Sequence, residues 1–145
     1  MKKRIIALGL LWCLSAVMLQ AARVDTVLVR SAAMNKDVKV VYVLPDKAIG
    51  KQACPVVYLL HGYGGNARSW MQLKPELPQM ADEKGIIFVC PDGKNSWYWD
   101  SPENPAYRYE TFVTSELVKY TDGNYATIPD RKARAISGLS MGGHG

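Results

Sequence analysis

The run Ala135-Ile136-Ser137-Gly138-Leu139-Ser140-Met141-Gly142-Gly143 constrains this chain most. It places Gly138-x-Ser140-x-Gly142 directly after a short apolar strand, which is the pattern of a nucleophile elbow. A strand turns sharply into a helix, and the serine at the apex sits in a strained backbone conformation. The residues two before and two after must approach the turn so closely that only glycine fits. The serine oxygen is thereby exposed at a helix N-terminus, where free N–H groups stabilise negative charge.

A second loop supports this reading. Pro55-Val56-Val57-Tyr58-Leu59-Leu60 is continuously apolar, as expected of a strand buried on both faces, and it feeds His61-Gly62-Tyr63-Gly64-Gly65. A loop at that place supplies the other half of an oxyanion hole. Ile86 to Cys90 is another such strand, ended by Pro91-Asp92-Gly93, and Arg134 to Gly138 is a third.

Before these, Val24 to Arg30 and Asp37 to Leu44 read as an antiparallel hairpin. Ser69-x-x-Gln72 fits a capping box. A helix is expected from about Pro75 to Lys84, stopped by Gly85, with Leu77, Met80 and Ala81 facing the sheet. Tyr109, Phe112, Val113, Leu117 and Tyr120 recur at helical spacing, so Thr111 to about Tyr120 is expected to be an amphipathic helix ended by Asp122-Gly123-Asn124. The alternation of strands and helices predicts an α/β sandwich with a mostly parallel sheet.

Lys2, Lys3 and Arg4 precede an apolar stretch, Ile5 to Leu19, and then Ala21-Ala22. This has the form of a secretory signal peptide over residues 1–22. The run is too short to span a bilayer, so no membrane anchor is expected, and a secreted or periplasmic location is. Residues 23–145 would then form the N-terminal part of an α/β-hydrolase domain. The net charge of +5 owes three units to that leader. The rest carries no basic stripe, so nucleic acid is not an expected partner. Cys54 and Cys90 fall at opposite ends of adjacent strands, beyond disulfide reach, and are expected as buried thiols. No metal-ligand spacing and no phosphate loop appear, so no cofactor or metal is expected.

Three stretches, Val57 to Gly65, Tyr109-Glu-Thr-Phe-Val-Thr-Ser-Glu-Leu117 and Ala135 to Gly145, together resemble the esterase D-like branch of the α/β-hydrolases. That branch includes S-formylglutathione hydrolases, feruloyl, acetylxylan and tributyrin esterases, and mycolyltransferases. The resemblance implies Ser140 as the acyl-accepting nucleophile. It implies the backbone N–H groups of Met141 and Tyr63 as oxyanion donors, with Gly138 and Gly142 as the elbow glycines. The substrate would be a small-molecule or polysaccharide-linked ester.

The family's triad acid and base follow the nucleophile. On this reading they are missing, the chain stops after the fifth of eight strands as a fragment, and the chain alone is inactive. Within the chain, His61 reads as a structural hydrogen bonder, Asp92 as a turn residue, and His144 as lying behind the elbow. Trp97, Tyr98 and Trp99 suit either substrate contact or covering the core. An acyltransferase of the mycolyltransferase type and a non-catalytic carbohydrate-binding or remnant protein are the alternatives.

Overall fold

The computed structural model describes residues 22–145, so the signal-peptide reading lies outside the described residues, Ala22 apart. The first two strands, β1 (Arg23–Ser31) and β2 (Lys36–Leu44), form the expected antiparallel hairpin. A short helix α1 (Asp46–Ile49) leads to β3 (Val56–Leu60). Helices α2 (Ser69–Leu73) and α3 (Leu77–Lys84) connect β3 to β4 (Ile87–Pro91). After a long loop come α4 (Tyr109–Thr111), a π-helical turn (Phe112–Glu116) and α5 (Leu117–Asn124). The last elements are β5 (Arg134–Gly138) and α6 (Met141–His144).

The strand order is β1-β2-β4-β3-β5. β3 pairs parallel with both β4 and β5, but β2 pairs antiparallel with β4 as well as with β1. The sheet is therefore mixed, which corrects the expected mostly parallel sheet. The hairpin reaches the parallel core through β2, whose Val40 to Val43 lie against Pro91 to Phe88.

Strand alternation divides the interior into two layers. Val40, Tyr42, Tyr58, Leu60, Ile87 and Val89 point to one face, under Tyr109, Phe112, Val113 and Leu117. Val41, Val43, Leu59, Phe88 and Cys90 point to the other, under Leu77 and Ala81 of α3, with Met80 packed beside them. Burying a side chain such as Leu77 contributes roughly 2 kcal/mol. Gly85 closes α3 in the left-handed region, φ 64°, and donates its N–H to Ala81 O, as the sequence suggested.

Two local expectations fail. The capping box does not form, because Ser69 Oγ instead accepts the Asn66 N–H at 2.8 Å. The amphipathic helix begins earlier, runs on through Asn124, and contains a π turn. That wider turn ends at Glu116, whose carboxylate accepts the Ser31 hydroxyl at 2.5 Å and the Ala33 N–H at 2.8 Å and so ties the helix to the β1–β2 connection. Cys54 and Cys90 are both free and buried.

Candidate active site

The C-terminal ends of β3, β4 and β5 lie side by side, and the loops leaving them build the site. Ser140 has φ 53° and ψ −114°, a conformation that L-residues rarely adopt, and it is exposed at the head of α6. The glycine spacing has a measurable cause. A Cβ on Gly138 would lie 2.1 Å from the carbonyl of Gly142, and one on Gly142 would lie 2.2 Å from Leu60 O. The elbow is thus wedged against the end of β3.

Gly62 stands beside it, close enough that an added Cβ would be 3.6 Å from Ser140 Cβ. Among the described residues, neither the Tyr63 N–H nor the Met141 N–H donates a hydrogen bond within the protein. Two backbone donors thus flank Ser140 uncommitted. A cavity of about 290 Å³ adjoins Tyr63, lined also by Gly62, Ser69, Gln72, Leu73 and Leu139. A larger one, of about 440 Å³, lies at the other end of the sheet near Leu44 and Tyr125, away from these groups.

The expectation that the chain lacks a histidine–acid pair is overturned. His61 Nε2 lies 3.6 Å from Asp92 Oδ1, and the two side chains are only 1% and 7% exposed. The pair joins the ends of β3 and β4. The ground for expecting an inactive chain falls with that correction. Asp92 also does more than end a strand: its carboxylate accepts the Lys94 N–H at 3.0 Å and the Lys94 ammonium at 2.8 Å. Burial alone would raise its pKa, but the Lys94 N–H and ammonium outweigh burial and hold it well below the ordinary 3.8.

The His61 tautomer follows from its partners. Nδ1 lies 2.7 Å from Gly62 O, which can only accept, and Nε2 accepts the Gly93 N–H at 2.9 Å. The proton therefore sits on Nδ1. With Nε2 unprotonated the ring is neutral, so the 3.6 Å approach of Asp92 is a close packing contact, neither an ion pair nor a hydrogen bond.

The aromatic loop divides. Trp97 is 46% exposed and stands between Tyr63 and His144, with ring centroids 6.4 and 5.4 Å away. Trp99 is also exposed. Tyr98 is buried, and its hydroxyl donates to His61 O at 3.2 Å, so it covers the core instead. Sequence reasoning did not join His61 to Asp92. The available signal was that each directly follows one of two adjacent apolar strands.

The chain is 28% identical over 123 residues to an acetyl esterase of Caldicellulosiruptor saccharolyticus, covering 79% of this chain and 46% of that protein. It is 31% identical over 126 residues to the S-formylglutathione hydrolase of Bos taurus, covering 72% of this chain and 43% of that one. The solved S-formylglutathione hydrolase from Agrobacterium tumefaciens superposes with a TM-score of 0.75 at 27% identity, over 88% of this chain and 54% of that structure. The chain thus spans about half the length of the curated relatives it matches. The family described as "Putative esterase" matches residues 31–145, and the chain belongs to that family.

Proposed function

We propose that Ser140 is the nucleophile of a carboxylic-ester hydrolase. Its Oγ attacks the ester carbonyl while its proton passes to the oxygen of the departing alcohol. The carbonyl oxygen becomes an oxyanion between the Tyr63 and Met141 N–H groups. Collapse breaks the bond to the alcohol, which leaves with a proton, and water then releases the acid from the acyl-serine. The observation that carries this reading is the strained Ser140 backbone, φ 53°, at the head of α6 and against Gly62.

A small-molecule ester fits the shallow cavity beside Leu139, and the exposed Trp97 and Trp99 rings offer flat apolar surface to the rest of the substrate. The basic-then-apolar residues 1–22 support export of the chain.

A serine-reactive fluorophosphonate tests the assignment. The expected result is one covalent adduct on Ser140, located by peptide mass spectrometry and absent from Ser140→Ala. An adduct elsewhere, or none, overturns it.

A further inference from the structure

The peptide unit joining Gly62 to Tyr63 carries both a carbonyl, Gly62 O, and the Tyr63 N–H. In a trans peptide these point in opposite directions. Gly62 O is held from one side by His61 Nδ1–H at 2.7 Å and by the Gly65 N–H at 3.0 Å. Pinning the carbonyl there fixes the direction of the Tyr63 N–H, which no other group among the described residues takes up. The next peptide unit is held as well, since Asn95 Oδ1 accepts the Gly64 N–H at 2.8 Å.

Both anchors belong to, or are set by, the loop after β4. Gly93 donates to His61 Nε2 and so fixes the tautomer that serves Gly62 O. Tyr98 donates to His61 O, and Asn95 reaches Gly64 directly. This loop is over-determined. Lys94, Trp97 and Tyr98 all have positive φ, at 51°, 58° and 56°, an arrangement that persists only where the surroundings enforce it. Asp92 holds the Lys94 N–H, Ser96 Oγ accepts the Tyr98 N–H at 3.0 Å, and the Tyr98 ring lies where a Cβ on Gly93 would be, 2.2 Å away.

We propose that the loop after β4 is a rigid brace for the oxyanion hole, in which His61 and Asn95 are positioning residues that orient the peptides on either side of Tyr63. The inference rests on the roles proposed for Ser140 and Tyr63. It gives the buried His61–Asp92 pair a place in the chemistry without contact to substrate. It also sets aside Asn95, an exposed side chain, as a lever on rate.

Asn95 is the residue to test, because its exposure lets it change without unfolding the protein. The full chain and its Asn95→Ala and Asn95→Asp variants are compared in their rate of fluorophosphonate labelling and in amide hydrogen exchange at Gly64. Asp keeps the acceptor oxygen. The expected result is labelling about 10-fold slower and faster Gly64 exchange in Asn95→Ala. Asn95→Asp should stay within about 2-fold of the parent on both measures, with all three melting together. Equal labelling by the parent and Asn95→Ala overturns the brace, as does an equal loss in both variants. Absence of any Ser140 adduct in the parent overturns the assignment of Ser140 and the brace's role with it, whereas an unchanged Gly64 exchange with labelling intact overturns the brace alone.

Discussion

Gly138 and Gly142 touch across the elbow so closely that a Cβ on the first would lie 2.1 Å from the carbonyl of the second. No rotamer relieves a clash between a Cβ and a backbone atom. Gly138→Ala or Gly142→Ala must therefore move β5 or α6. Each is expected to cost about 3 kcal/mol or more, the upper part of the range for overpacking. Urea midpoints against the parent check this, and a loss under about 1 kcal/mol would contradict the packing.

His61→Ala removes a buried ring that serves Gly62 O and the Gly93 N–H together. The variant leaves a cavity and strips both backbone groups of a partner. A loss of about 3 kcal/mol is expected from thermal or urea unfolding. Ser140 labelling should also slow in whatever fraction remains folded. Native stability with normal labelling would mean that His61 supports neither the fold nor the oxyanion loop.

The Asp92 carboxylate is held below its ordinary 3.8 in the folded chain. Its unfolded form therefore takes up a proton first as the pH falls. The stabilisation it contributes is complete above about pH 5 and is lost progressively below about pH 4. In Asp92→Asn that component should vanish. The urea midpoint of the parent should accordingly fall more steeply between about pH 5 and 2.5 than that of the variant. Parallel curves would show that the carboxylate gains nothing from Lys94.

Burial pushes the Cys90 thiol up to about 12 and raises Cys54 as well. The thiolate is the reactive form, so neither should alkylate readily at pH 8 while the sheet is intact. Site-resolved mass spectrometry should show both modified at least ~100-fold faster in urea than in buffer. Rapid native labelling of Cys90 would mean that β4 is not enclosed between its two layers.

What could be read from the sequence was local. The runs Val56 to Leu60 and Ile87 to Pro91 are apolar enough to declare themselves buried strands, and the glycines around Ser140 announce a turn that only they can make. Gly85 stops its helix by a backbone conformation that its lack of a side chain permits. The misreadings depend on partners distant in the chain or on local competition. Nothing near β2 says that it will pair antiparallel with β4. Ser69 matched a capping pattern, yet the Asn66 N–H claimed its oxygen. His61 and Asp92 come together only because β3 and β4 are parallel neighbours, and reading each by its local role, as a hydrogen bonder and a turn residue, kept them apart. The π turn ending at Glu116 likewise answers to Ser31 and Ala33.

The pairing of β5 with β3 also fixes when the serine becomes unusual. β5 touches the rest of the sheet through β3, where Tyr58 meets Ile136, residues separated by most of the described chain. Contacts of that span form after the local hairpin and helices, because a long loop must close first. Until Leu60 O is in place against Gly142, nothing compels Ser140 into its strained conformation. An incompletely folded chain therefore presents an ordinary serine. The distinctive geometry at this position is expected only once that long-range pairing is made.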